Sequence, residues 1–147
     1  MGLKSFQLSP VSAGYICLDT ATRTHTVSVQ AATSAQTGAN LVSIRCSAQQ
    51  DAVASLSSST AGGIWIGGTD AANEGTWVLP DGSAMTYFNW NTDEPNNAGG
   101  DEDCIAFDGS RGVWWDGPCN SGATTGPAIF ESTFAISGLT CIEYVGK

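Results

Sequence analysis

Two regimes of apolar patterning divide the chain near Gly62. Before it, the run Tyr15-Ile16-Cys17-Leu18 predicts a short strand. The segment from Val27 to Thr37 predicts a weak helix closed by Gly38, since glycine ends helices at low steric cost. Leu41-Val42-Ser43-Ile44 is a short β-branched run. Ser47 then stands as a cap for a helix whose apolar positions Ala48, Ala52, Val53 and Leu56 recur at helical spacing. Both helices are expected to pack on a sheet. Beyond Gly62 come short apolar runs punctuated by Gly, Asp and Asn: Ile64-Trp65-Ile66, Thr76-Trp77-Val78, Thr86-Tyr87-Phe88, Cys104-Ile105-Ala106-Phe107 and Val113-Trp114-Trp115. They predict strands joined by long loops. The stretch from Asp81 to Asp103 is long for a structureless loop, and Tyr87, Phe88, Trp90 and Phe107 in or beside it argue for order.

No repeat or linker interrupts this pattern, and 147 residues suffice for one core, so residues 1–147 are read as a single domain. No apolar run approaches the roughly 20 residues of a membrane helix. Residues 1–20 lack a basic start and a continuous apolar stretch, so a secretory signal has been removed or none exists. Five cysteines without a CxxC pair favour a disulfide framework in an oxidising compartment, hence a secreted or extracellular protein. Their odd number leaves one thiol free or available to join a second copy as a homo-oligomer.

Charge sharpens the picture. A net charge of −9 argues against nucleic acid and anionic membranes as partners. Ten of the fourteen carboxylates lie between Asp70 and Asp116, where Arg111 is the one basic side chain. Such density is costly unless solvent or a cation offsets it. Within it, Glu94-Pro95-Asn96 places a carboxylate and an amide two residues apart, and a cis bond before Pro95 would turn both toward one cation. Glu102-Asp103-Cys104 follows, then Trp114-Trp115-Asp116 ahead of Cys119. All these donors are oxygens, which suits Ca²⁺ with its roughly six to eight oxygen ligands, whereas a zinc-type site would need clustered His or Cys.

Taken in series, Trp65-Ile66-Gly67-Gly68-Thr69-Asp70, Glu74-Gly75-Thr76-Trp77, Asn89-Trp90, Glu94-Pro95-Asn96, Glu102-Asp103-Cys104 and Trp114-Trp115-Asp116 with Cys119 resemble the ordered signature of C-type lectin-like domains. Leu41-Val42-Ser43-Ile44 is similar to that family's leader into its second helix. The match covers roughly residues 14–131. The resemblance implies an α+β fold, two helices flanking small antiparallel sheets, with a long loop region that holds sugar through calcium. Carried over by position, Glu94, Asn96, Glu102 and Asp116 would bind the principal calcium. Asp70, Glu74, Asn97, Glu102 (through its backbone) and Asp103 would form an accessory site, with Asn97 standing where an aspartate is common. In the family, Glu-Pro-Asn accompanies mannose, glucose, GlcNAc and fucose, whose equatorial vicinal hydroxyls donate to carboxylates and accept from the amide.

Three departures qualify the carry-over. Trp115 occupies the place of an asparagine that serves both calcium and sugar; indole has no acceptor oxygen, though its face could stack on a sugar ring. Cys104–Cys119 matches the family's loop-bracing bridge, closing a loop of about 16 residues worth roughly 3 kcal/mol. The second family bridge has no match, since its helix position reads as Ser34, and the last strand is either Ala128-Ile129-Phe130-Glu131 or Thr140-Cys141-Ile142-Glu143. Cys17, Cys46 and Cys141 are left to supply a substitute, with Cys46–Cys141 preferred. The tail from Ser132 to Lys147 lies outside the family pattern, although Phe134, Ile136 and Leu139 suggest that it packs.

Trp65, Trp77, Trp90 and Trp114 are expected in the core, and His25, far from every motif, is read as structural. Glu94 and Glu102 resemble a glycosidase pair, but carboxylates sharing a cation lose the raised pKa of a general acid, so no enzyme is expected. The rival reading is a lectin-like module that binds sugar without calcium, or that binds protein, mineral or ice surfaces.

Overall fold

Strand alternation accounts for how the apolar runs are used. The computed structural model describes residues 13–35 and 39–145. Along these run β1 (Ala13–Arg23), α1 (His25–Ala35), β2 (Asn40–Leu41), α2 (Ser47–Ser57), β3 (Gly63–Thr69), β4 (Cys104–Asp108), β5 (Trp114–Gly117), β6 (Gly126–Ser132) and β7 (Thr140–Val145). The strands join one sheet in the order β5-β4-β3-β6-β1-β7, with β2 beside β6. Pairing is antiparallel apart from the contact of β3 with β6. Successive residues of a strand face opposite sides of a sheet. Ile64, Ile66, Ile105, Phe107, Trp114 and Ile129 accordingly enter one core with Val53 of α2, and Trp65, Cys104, Ala106, Ala128 and Phe130 enter another with Ala32 of α1. The fold is α+β, one helix on each face.

Several local expectations are revised. α1 begins at His25, two residues before Val27, and the Gly38 stop lies outside the described residues. His25 is buried edge-on to Trp65, with ring centroids 5.4 Å apart. Cys46, not Ser47, is the N-cap of α2, and its side chain makes no capping bond. The buried positions of α2 are Gln50, Val53 and Ser57, while Ala48 is exposed. Gln50 is inward because it is satisfied there: its Oε1 accepts from Trp114 Nε1 at 3.0 Å and its Nε2 donates to the Gly112 carbonyl at 2.5 Å. Only Leu41 of the Leu41–Ile44 run lies in a strand, yet the whole run is buried. Val42 finds backbone partners in Ile129 and Gly67.

Thr76–Val78 and Thr86–Phe88 are not strands. Val78 makes isolated bridges to Thr69 and Ala84. From Asp70 to Asp103 the chain is a long ordered loop without a regular strand, fastened by its aromatics. Trp77 and Trp90 lie 5.1 Å apart, and Trp90 meets Trp114 edge-on at 5.8 Å. Backbone bonds from Asn91 N to Trp114 O (2.8 Å) and from Trp114 N to Asn89 O (3.0 Å) seat the loop on β5.

Both candidate last strands exist: Ala128–Glu131 lies in β6 and Thr140–Glu143 in the edge strand β7. The tail thus folds back on β1, with Ile136 buried, Leu139 packed beside it and Phe134 exposed. The register sets Cys17 opposite Cys141, and these two are bridged with Cα atoms 4.0 Å apart. The expected Cys46–Cys141 pair is therefore corrected: β7 pairs along β1, while Cys46 remains exposed with a free thiol. Cys104 is bridged to Cys119.

Candidate metal centre

The acidic constellation forms where β4 and β5 meet the long loop. Asp116 faces the loop side of β5 and is only 3% exposed. Its Oδ1 accepts from the Asn96 N–H at 3.0 Å and its Oδ2 from the Asn97 N–H at 2.8 Å. This one carboxylate therefore clasps the turn after Pro95, whose preceding bond is cis. Asn96 Nδ2 donates to Glu94 Oε1 at 2.8 Å, which holds the amide and the carboxylate side by side. Glu102 Oε2 accepts from the Ala98 N–H at 2.7 Å. Burial, the adjoining Asp116 carboxylate and the charges of Asp116 and Glu102 push the Glu94 carboxyl up to about 7. Its Oε2 is buried without a hydrogen-bond partner.

A second cluster adjoins the first. One carboxylate oxygen each from Asp70, Glu74 and Asp103 lies within 4.8 Å of the others. Asp70 is 2% exposed; its Oδ2 accepts from the Gly75 N–H at 2.8 Å, while its Oδ1 is buried without a partner. Desolvation and the charges of Asp70, Asp103 and Asp116 raise the Glu74 carboxyl. Asn97 joins the two clusters. Its Nδ2 donates to Glu74 Oε2 at 2.6 Å and its Oδ1 accepts from the Glu102 N–H at 3.1 Å. It does so from a left-handed backbone, φ 44°, a conformation that asparagine tolerates better than most residues.

Unpaired carboxylate oxygens held out of water are costly, and a hard cation is the group that would satisfy them. By donor chemistry and by the orphaned oxygens of Glu94 and Asp70, both clusters suit a hard cation; of the carboxylates, it is those of Asp70, Glu74 and Asp103 that converge within 4.8 Å, whereas Glu94, Glu102 and Asp116 are linked through the hydrogen bonds of the Pro95 turn. The structure brings all these residues together, leaving Trp115 apart. Adjacent to Asp116 on β5, Trp115 faces the other side of the sheet, toward α1. It lines a cleft of about 120 Å³ with Gly63, Trp65, Ala106 and Thr124. A Cβ on Gly63 would meet Trp115 Cζ2 at 2.7 Å, so the glycine makes room for the indole. The expected place of Trp115 beside the sugar is thus corrected by strand alternation. A third grouping, His25 with Cys104 and Cys119, offers no thiolates because the two cysteines are bridged.

What sequence reasoning missed is the clasp: both Asp116 oxygens are already used by backbone N–H groups of the turn. The signal for it was the tight Pro95-Asn96-Asn97 turn, which exposes successive N–H groups that need an acceptor.

Comparison with known proteins accords with this geometry. The family model for the lectin C-type domain matches residues 24–125. Ladderlectin of Oncorhynchus mykiss is 40% identical over 82 residues, covering 54% of this chain and 43% of ladderlectin. The low affinity immunoglobulin epsilon Fc receptor of Mus musculus is 51% identical over 57 residues, 39% of this chain and 17% of the receptor. The matched stretch thus spans less than half the length of either relative. The carbohydrate-recognition domain of cow CD23, solved in the presence of a GlcNAc2Man3 oligosaccharide, superposes with a TM-score of 0.70 at 27% identity, over 83% of this chain and 89% of that one. The C-type lectin CEL-I of Cucumaria echinata gives 0.71 at 24% identity, over 88% and 100%, a likeness of fold.

Proposed function

The chain belongs to the C-type lectin domain family, and from that premise we propose that it binds carbohydrate in a calcium-dependent manner, with preference for mannose-type sugars. The observation that carries the reading is the turn in which Glu94 and Asn96 stand side by side over Asp116, with Glu94 Oε2 buried and unpartnered. Glu94, Asn96, Glu102 and Asp116 would hold the principal calcium, and Asp70, Glu74, Asn97 and Asp103, with the Glu102 backbone, the accessory one. When bound there, calcium would supply Lewis-acid character toward sugar hydroxyl oxygens. The protein's own contribution is orientation: carboxylate oxygens of Glu94 and Glu102 accept from sugar hydroxyls, and the Asn96 amide donates. The family consists in general of binding proteins, and this chain is assigned no catalytic step.

Two disulfides support an extracellular setting. A glycan array run with calcium and again with chelator tests the function. Mannose-type ligands should be retained only with calcium, and exchanging Glu94→Gln with Asn96→Asp should shift preference toward galactose-type ligands. Retention indifferent to chelator would overturn the calcium reading, and a wild type that already prefers galactose would overturn the assignment of the clamp.

A further inference from the structure

A different cleft, of mixed polar and apolar lining, opens on the β6-β1-β7 side of the sheet, away from β5. The antiparallel registers set Gly14 opposite Tyr144 and Ile16 opposite Glu131. Gly14, Ile16, Glu131 and Tyr144 therefore share the face on which α2 packs. Because Gly14 has no side chain, the floor is open: a Cβ there would meet nothing closer than the Ser132 carbonyl at 3.6 Å and the Tyr144 carbonyl at 3.7 Å. The resulting cleft of about 250 Å³ is walled by Tyr144, Glu131, Thr133, Gln49 and Asn40 together with the apolar side chains of Ile16 and Val42. That is below the ~300 Å³ at which drug-sized sites begin, so an occupant would be small.

Glu131 is the chemical centre of this cleft. It is half-buried, and its oxygens accept from Ser43 N at 3.2 Å and Ser43 Oγ at 2.9 Å. These bonds hold the carboxylate in place while leaving lone pairs free. Among the described residues it makes no ion pair; the neighbouring Arg45 is committed to Asp81 at 3.0 Å. Burial raises the Glu131 carboxyl, against the Ser43 hydrogen bonds and the charge of Arg45, which lower it. An anchored, half-buried carboxylate beside a tyrosine ring matches an ammonium group, through a charge-assisted hydrogen bond and a cation–π contact. The amides and hydroxyl of the remaining wall suit polar groups of a scaffold whose other edge rests on Ile16 and Val42.

We propose that this cleft is a second binding site, independent of the acidic loop, for a small molecule carrying a primary ammonium group on a polar scaffold. The test is an NMR titration of the full isotope-labelled chain in chelator, with D-glucosamine and N-acetylglucosamine as probes. The two share a ring and differ in the charge on nitrogen. Glucosamine should move the resonances of Gly14, Glu131 and Tyr144, and N-acetylglucosamine should bind about tenfold more weakly or not at all. Glu131→Gln should weaken glucosamine by about tenfold. Gly14→Val, which fills the floor but leaves the carboxylate, should do the same and decides the matter if the first variant folds poorly. Equal binding of both probes, no binding of glucosamine, or unchanged binding by Gly14→Val would each overturn the proposal; the last would place the cation at the acidic loop.

Discussion

Asn97 shows how one side chain can serve two clusters. An aspartate in its place could not donate to Glu74, and would add a charge beside Asp70, Glu74 and Asp103. Asn97→Asp should therefore lower the stability of the calcium-free protein, from one lost hydrogen bond and added repulsion. It should also tighten calcium several-fold through ligand charge. Melting curves in chelator and calcium calorimetry read the two effects separately. Unchanged calcium affinity would remove Asn97 from the ligand set. Asp116 has the opposite character, since its oxygens hold the Pro95 turn through backbone N–H groups, so replacing it disturbs the loop as well as any bound cation.

At the scale of elements, β5 divides two tasks between neighbours, with Trp114 and Asp116 toward the long loop and Trp115 toward α1. Trp115→Ala should cost about 2 kcal/mol, less than a fully buried aromatic because the indole is half-exposed. Its calcium affinity should match the wild type. Thermal unfolding and calcium calorimetry on one preparation check both; weaker calcium binding together with unaltered stability would mean that Trp115 belongs to the metal face after all. The long loop gains its order in a comparable way, from Trp77 and Trp90 docked on Trp114 rather than from strands.

For the molecule as a whole, pH couples the acidic loop to the core with two opposing signs. Glu94 is raised to about 7 in the folded chain, so the calcium-free protein holds protons more tightly than the unfolded chain from about pH 4.3 upward. This contribution to stability falls as pH rises through that window. His25, lowered by burial to about 4, acts oppositely: it resists protonation in the fold, and its contribution is lost as pH falls from about 6.5 toward 4. In chelator the two trends offset over much of this range. Calcium held as proposed would require the Glu94 carboxylate, so the rise in Tm that calcium produces should be small near pH 5 and grow toward pH 7.5. Scanning calorimetry with and without calcium measures it, and Glu94→Gln should flatten the growth. A calcium effect that is constant with pH would disconnect Glu94 from the metal.

Much of the site was legible in the chain because its members are close in sequence or set by strand period. Glu94-Pro95-Asn96, Glu102-Asp103 and the tryptophan-rich runs carry their chemistry locally, and the density of carboxylates between Asp70 and Asp116 called for a cation before any geometry was known. Oxygen donors and the burial of Trp65, Trp77 and Trp114 followed from residue type and alternation, the α+β class from the family resemblance, while Trp90, also expected in the core, is only half-buried. Register was another matter. Whether Cys141 meets Cys17 or Cys46 depends on β7 pairing along β1 across a separation of 124 residues. Whether Trp115 faces the acidic loop or α1 depends on which side of β5 the loop docks, and the Glu131 cleft exists only where β1, β2, β6, β7 and α2 converge. A shift of one residue in pairing would reverse every one of these faces, and the energy that forbids it resides in contacts between distant segments, which no local run of residues encodes.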